Sequence, residues 1–189
     1  EGQLVKVSSC FRIPHLKPSD IRYKASEGGG ALLDVGFYPI SFILSLLGEP
    51  TKIHSYTARN PRFEVDLGGS ALMEYNGFFA QEDWGIGGIY QNKSTIEWEE
   101  KKITIDRSFS KPNGLQTTCE IEENGIPSEK IVINPDDHFR NLFQDFFADT
   151  APQEAHLSTI IQRAKIANTV ADPVIIRYPM SYRYLVFVY

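Results

Sequence analysis

Residues 27–50 read Glu-Gly-Gly-Gly-Ala-Leu-Leu-Asp-Val-Gly-Phe-Tyr-Pro-Ile-Ser-Phe-Ile-Leu-Ser-Leu-Leu-Gly-Glu-Pro, and the rest of the chain is organised around them. Three glycines open the stretch and Gly48-Glu49-Pro50 closes it, with Gly48 suited to the C′ position of a helix and Pro50 unable to continue one. Between them Leu32, Leu33, Val35, Phe37, Ile40, Phe42, Ile43, Leu44, Leu46 and Leu47 point nearly all round a 3.6-residue period, which predicts a buried helix. Pro39 lies inside it and cannot donate to the carbonyl of Val35, so a kink or restart is expected there. One polar line remains: Asp34, Tyr38, Ser41 and Ser45, spaced i, i+4, i+7 and i+11, fall within a sector of roughly 60°. An unpaired buried polar group costs about 1–3 kcal/mol, so this line must face a strand or a wet cleft.

Working outward, residues 3–11 alternate as a strand, and residues 12–27 read as a long loop crossing the surface. From Lys52 to Asn134 the hydrophobic period is two. Asn76-Gly77 and Asn124-Gly125 mark hairpins, and a third pair of strands joins around Glu100-Lys101. Gly85-Ile86-Gly87-Gly88 is not a dinucleotide loop, because a strand rather than a helix follows; it predicts a bulge or a close backbone approach. After Pro135-Asp136-Asp137 the helical period returns, with Phe139, Leu142, Phe143, Phe146 and Phe147 on one stripe and a last helix from about Pro152 to Ala171. The order predicts an α+β fold: one open, largely antiparallel (mixed) sheet with helices packed on one face and the other face available for oligomerisation. Residues 1–178 are read as one domain, and residues 179–189, aromatic and strand-like, as a tail of unknown role.

With 42% hydrophobic and 23% charged residues among 189, the composition is that of a globular domain. A net charge of −5 argues against a nucleic-acid surface. Asp34, Gly36 and Pro39 interrupt the apolar run short of the roughly 18–20 residues that span a bilayer, so no membrane partner is expected. Two distant cysteines, Cys10 and Cys119, suit a reducing cytosol and a cytoplasmic location, and no Cys/His cluster has metal spacing. Charge is uneven: residues 1–62 carry +3 and the remainder −8. Arg12, His15, Lys17, Arg22 and Lys24 precede the glycines, either as a solvated loop or as a positive lip over a cleft. There is no Gly-x-Ser-x-Gly elbow, Walker loop or His-Glu-x-x-His. Chemistry is therefore sought at residues 28–38, where Tyr38 is either a structural phenol bonded to the sheet or a proton donor oriented by Asp34.

Those same residues, Gly28-Gly29-Gly30-Ala31-Leu32-Leu33-Asp34-Val35-Gly36-Phe37-Tyr38-Pro39-Ile40, with Leu46-Leu47-Gly48-Glu49-Pro50, resemble the signature that opens the C-terminal substrate domain of the glucose–fructose oxidoreductase/inositol dehydrogenase (Gfo/Idh/MocA-type) family. Asp20-Ile21-Arg22-Tyr23, Tyr90-Gln91-Asn92, the Asp106–Pro112 stretch and Asp136-Asp137-His138-Phe139 extend the likeness over about residues 3–172, nearest to the branch with nucleotide-sugar 3-ketoreductases and dimeric dihydrodiol dehydrogenases. The resemblance implies NAD(P)-dependent hydride transfer at a carbon of a sugar or nucleotide sugar. Tyr38, standing where many members have histidine, would be the proton donor; a tyrosine titrates near pH 10, so it is able to donate at neutral pH. Asp34 would be the orienting carboxylate, Gly28, Gly29 and Gly30 would approach the cofactor, and Arg22, Tyr90 and Asn92 would contact substrate. The family's lysine in Glu-Lys-Pro and its Gly-x-Gly-x-x-Gly loop are not in this sequence, since Lys17-Pro18 and Lys111-Pro112 lie in other contexts. The resemblance therefore implies a chain lacking the dinucleotide-binding domain that binds most of the NAD or NADP, inactive alone and a homodimer or tetramer through the sheet face. The alternative is a non-catalytic domain that binds a sugar ligand or serves oligomerisation.

Overall fold

The computed structural model describes residues 2–148 and 153–171. Eight strands form one sheet: β1 (Leu4–Ile13), β2 (Lys52–Arg59), β3 (Asp66–Glu74), β4 (Phe79–Ile86), β5 (Gln91–Trp98), β6 (Lys101–Asp106), β7 (Thr117–Glu123) and β8 (Ile126–Ile133). Their spatial order is β2-β3-β4-β1-β5-β6-β7-β8, and every pairing is antiparallel except β1 with β4. Both Asn-Gly turns hold their glycine in the left-handed region, Gly77 at φ 89° and Gly125 at φ 76°, as hairpins of this twist require. The expected α+β architecture is present. The parallel pair at its centre is not a hairpin product: β1 is inserted between β4 and β5, so the first strand of the chain is buried amid the later ones.

The helical layer covers one face. The stretch expected as a single kinked α-helix starts as a π turn, Leu32–Gly36, and becomes helix α1 at Phe37–Leu47. The ladder is therefore widened just before Pro39, where the proline has no N–H to give. Ala25–Leu47 as a whole is long and apolar enough to cross a bilayer, against the sequence expectation, but half of it is buried in the domain, as a core helix is. Pro39, Ile40, Ile43 and Leu44 are buried, and Val7, Phe11, Ala71, Met73, Ala80 and Trp84 join them in the core. The last helix, α3 (Gln153–Ala171), closes the layer beside α1: Val170 and Ala167 are buried, and Arg163 donates to Ser45 Oγ at 2.7 Å. Helix α2 (His138–Phe147) is capped by Asp137, whose side chain accepts from the N–H of Arg140, and its Phe/Leu stripe is exposed rather than packed on the sheet. The tail 179–189 lies outside the described residues. Gly87, at φ 105°, has the His15 ring where a Cβ would stand, so the Gly85–Gly88 stretch is a close approach at the end of β4.

Beneath α1 a polar row crosses the otherwise apolar face. Glu82 on β4 is fully buried, is in register with Ser9 on β1, and neither of its carboxyl oxygens has a partner among the described residues. Ser9 and Ser94 share a hydrogen bond at 2.8 Å. Burial, and then the neighbouring Asp83, push the Glu82 carboxyl well above the ordinary value of 4.5. Tyr75, the other titratable group that faces it, is pushed up to about 12 by burial and by Glu82. Because the folded-state value is raised, Glu82 contributes stability fully below about pH 4.5, and this is lost as pH rises through the folded value. A Glu82→Gln variant should therefore gain on the parent progressively as urea midpoints are followed upward from about pH 4.5; parallel profiles for the two proteins would show that Glu82 does not titrate in this way.

Candidate active site

The glycine-rich entry to α1 is built by close packing. Asp20 caps a short 3₁₀ turn, Ile21–Tyr23, by accepting from the N–H of Arg22 at 3.0 Å; that bond, ahead of the nearby cationic groups, holds its carboxyl below the usual range. Gly29 passes directly over this turn, with the carbonyls of Arg22 and Ile21 2.6 and 2.7 Å from where a Cβ would sit. Gly30 adopts φ 125°, and a Cβ there would stand 2.5 Å from Asp66 Oδ1. Asp66 itself, at the start of β3, accepts from the Leu32 N–H at 2.8 Å and from the indole of the fully buried Trp84 at 3.1 Å. No sequence signal singled out Asp66. It sits in an alternating strand like any solvent-facing acid, and its partners are 34 and 18 residues away.

Asp34 and Arg22 meet: Arg22 Nε lies 2.6 Å from Asp34 Oδ2, and Arg22 also faces Asp20 at 3.3 Å. The bond to Asp34 raises the Arg22 pKa above its ordinary value. Together with Gly28, Gly29, Gly30 and Leu33 they line a cavity of about 160 Å³. Small-molecule sites usually run to about 300–1,000 Å³, so this cavity suits an edge contact with a dinucleotide and not its enclosure. Gly28 leaves open space where its Cβ would be, so its part of the rim is free to be approached. Of the two readings of the basic residues before the glycines, the positive lip is weakened by ion pairing: Arg12 faces Asp83 at 3.7 Å, Arg22 faces Asp34 and Asp20, and Lys24 faces Glu27 at 3.9 Å.

Tyr38 is held by rings. Its centroid is 5.4 Å from Phe11 in an edge-to-face contact and 5.8 Å from Phe109. The side chain is 41% exposed, and its hydroxyl has no hydrogen-bond partner among the described residues. The sequence reading had Asp34 orienting this phenol; the structure turns Asp34 to Arg22 and leaves Tyr38 on an aromatic seat. Tyr90 joins that seat through Phe11 at 6.2 Å. Asn92 is buried and its amide is fully engaged: Oδ1 accepts from the Phe109 N–H at 3.0 Å, and Nδ2 donates to the Phe109 carbonyl and to the Tyr90 hydroxyl. Among the described residues no group of His, Cys, Asp and Glu is placed to hold a metal ion, and Cys10 and Cys119 are both free thiols.

One open mixed sheet with a glycine-entered helix on one face is the fold of the C-terminal domain of a family of oxidoreductases. The chain belongs to the GFO/IDH/MocA family, whose C-terminal domain matches residues 2–98. It is 35% identical over 134 residues to a dTDP-3,4-didehydro-2,6-dideoxy-alpha-D-glucose 3-reductase of Streptomyces violaceoruber, covering 69% of this chain and 39% of the relative, and 33% identical over 151 residues to the reductase of that name from Saccharopolyspora spinosa. Among solved structures, a 3-ketoreductase from Actinomadura kijaniata in complex with NADP and TDP-benzene superposes with a TM-score of 0.80 at 28% identity, over 90% of this chain and 54% of that one. An aldose-aldose oxidoreductase from Caulobacter crescentus shares the fold at a TM-score of 0.67 and 17% identity. The chain thus spans about half the length, or less, of the relatives it matches.

Because Asp66 accepts from both the Leu32 N–H and the Trp84 indole, Asp66→Ala leaves two inward-facing donors without a carboxylate. It should cost about 2–4 kcal/mol in chemical denaturation and weaken the near-ultraviolet tryptophan signal; a loss below about 0.5 kcal/mol would mean the turn is held by packing alone.

Proposed function

We propose that this chain is the substrate half of an NAD(P)-dependent ketoreductase acting on a nucleotide sugar, with Tyr38 as the proton donor to the carbonyl oxygen that is reduced. The observation that carries the reading is the state of Tyr38. It is a partly exposed phenol with an uncommitted hydroxyl, fixed by Phe11 and Phe109 at the start of α1. A structural tyrosine on an apolar helix would have given its hydroxyl a partner in the sheet. The relatives reduce dTDP-linked sugars at position 3, which supports a sugar ketone as the group presented to it.

In this reading each residue has a separate part. Phe11 and Phe109 fix the ring plane of Tyr38, so the O–H direction is set before substrate arrives. Tyr38 gives its proton to the carbonyl oxygen as charge develops there, and regains one from solvent through its exposed edge. Asn92 is a positioning residue: by gripping Phe109 at both backbone ends it holds one wall of the seat. Asp34 and Arg22 act on the glycine entry, keeping Gly28 and its neighbours at the rim of the small cavity where the edge of a nicotinamide nucleotide fits. A reduced nicotinamide, when bound, supplies the hydride. The body of that dinucleotide needs a larger site than the cavity of about 160 Å³ at this entry, and in this reading a dinucleotide-binding domain supplies it. The polar and apolar mixture on the uncovered sheet face, with Tyr56, Leu72 and Phe79 exposed, suits self-association, and the free cysteines suit a reducing cytoplasm.

Tyr38→Phe in the full-length protein should lower kcat by about 10²- to 10⁴-fold while nucleotide-sugar binding stays within about twofold. Unchanged turnover would remove Tyr38 from the mechanism; intact binding in a wild-type protein with no turnover would favour a purely ligand-binding domain. Residues 1–189 alone should show no NADPH oxidation at 340 nm with any dTDP- or UDP-linked ketosugar, and measurable turnover would mean that a dinucleotide site lies within this chain.

A further inference from the structure

Next to Tyr38, at the end of the sheet where β1 and β6 finish and β5 begins, is a second cavity of about 360 Å³, lined by Tyr90, Gln91, Asn92, Lys93, Asp106 and Arg107. Arg107 is unusual in its backbone. At φ 51° it is in the left-handed region, as is Ser110 at φ 43°, a conformation that side chains with a Cβ adopt reluctantly. The surroundings impose it: the Arg107 N–H donates to the Asn92 carbonyl at 2.9 Å, and the Asn92 amide clamps Phe109 two residues on. The result is that the Arg107 guanidinium lies over the Tyr90 ring, 4.1 Å from its centroid. The same buried amide reaches the Tyr90 hydroxyl at 3.0 Å, so the ring under the cation is fixed as well.

A guanidinium stacked on an aromatic face uses that face and leaves its N–H edges for acceptors. Among the described residues Arg107 forms no ion pair. The one carboxylate on the rim, Asp106, is the cross-strand neighbour of Lys93, which leaves the Arg107 charge uncompensated. It is joined to the phenol by a continuous aromatic floor: Tyr90 meets Phe11, Phe11 meets Tyr38, and Phe109 touches both Phe11 and Tyr38. A hexose with a ketone at ring position 3 facing Tyr38 carries its anomeric substituent two ring carbons away, from which a diphosphate can extend along this floor.

We infer that Arg107, stacked on Tyr90, forms the anion subsite that takes the diphosphate of the nucleotide sugar and thereby sets the affinity for substrate. The inference rests on Tyr38 being the reacting end. Planar, bidentate donors match two phosphate oxygens, whereas a neutral sugar offers such a cation nothing to neutralise. A nicotinamide dinucleotide also carries a diphosphate, so the experiment must separate the two sources.

In the full-length enzyme, Arg107→Met keeps the apolar stem and removes the charge, Arg107→Lys keeps the charge and removes the fork, and Arg107→Gly removes charge and backbone strain together. The readouts are kcat and KM for the nucleotide-sugar ketone, KM for NADPH, and calorimetric affinity for dTDP and for inorganic pyrophosphate, which needs no turnover. Arg107→Met should raise the nucleotide-sugar KM and the dTDP Kd by about 10- to 100-fold, with kcat at saturation and the NADPH KM within about twofold, and Arg107→Lys should fall between. Arg107→Gly should lose the same affinity with an unchanged or higher melting temperature, which separates recognition from folding. A rise in the NADPH KM instead would assign the cation to the cofactor and overturn the proposal, as would unchanged affinities throughout. Tyr38→Phe measured alongside keeps the two readings apart: unchanged kcat there together with weakened dTDP binding in Arg107→Met removes the catalytic reading and leaves the subsite standing.

Discussion

The position of everything at the entry to α1 depends on one carboxylate. Asp66 reaches from the start of β3 to the Leu32 N–H, the first donor of the π turn, and to the indole N–H of Trp84 in the floor of the core. Helix starts leave several backbone donors without partners, and a buried one must be supplied from outside the helix. Most helices use a residue just before the first turn for this. Here Ala31, preceded by three glycines, occupies that place and has no polar side chain to give, so the acceptor comes from a strand instead. The same approach demands that neighbouring positions stay small: Gly36 would place a Cβ 3.0 Å from the Trp84 ring and 2.9 Å from Leu32, and Gly69 would collide with the ring from below. Trp84 is therefore enclosed by glycines on two sides and hydrogen-bonded on a third, which fixes how high α1 sits above the sheet.

That height determines what Tyr38 can touch. Phe11, on the strand inserted between β4 and β5, comes up beneath the phenol because β1 runs through the middle of the sheet. Phe109 comes from the loop after β6 and is drawn in by Asn92. The phenol thus rests on residues from two distant parts of the chain, and neither contact is conditional on a ligand. For a general acid this matters: a ring fixed in advance has no orientation to lose when the substrate binds.

Much of this architecture was legible in the sequence and some of it was not, for reasons of range. Alternation and two Asn-Gly pairs are local signals, so the hairpins β3–β4 and β7–β8 could be placed to within about three residues. The glycines and the apolar run gave the buried helix, and Tyr38 and Asp34 stood out as its only titratable groups. Insertion of β1 beside β4 has no local signal, because no turn links the two strands and their pairing is decided only when the sheet closes. Asp66 was hidden for the same reason. Arg107 was hidden by a different one: its left-handed backbone is imposed by Asn92 from the next strand, and nothing in Asp-Arg-Ser-Phe predicts it. Asn92 entered through the family resemblance, as a substrate contact, whereas its amide is spent on Phe109 and the Tyr90 hydroxyl.

The π turn explains why the polar line of the helix divides. In a regular α-helix Asp34 and Tyr38, four residues apart, would lie one above the other and share an environment. Across a turn that closes i to i+5, residues four apart no longer stack, and the two side chains part. Asp34 swings toward the glycine entry and Arg22, whereas Tyr38 swings over Phe11 and Phe109. Further along, where the helix is regular, Ser41 and Ser45 remain on one line, with Ser45 bonded back to the Ser41 carbonyl at 2.7 Å and tied to α3 through Arg163. A single widened turn therefore converts four residues with one direction into three separate devices: an ion pair that holds the entry loop, a phenol on an aromatic seat, and a contact that fastens α1 to α3. The separation also suits the chemistry proposed for the phenol. A carboxylate stacked beside Tyr38 would compete with substrate for its proton, and the turn removes that competitor to the far side of the helix entry.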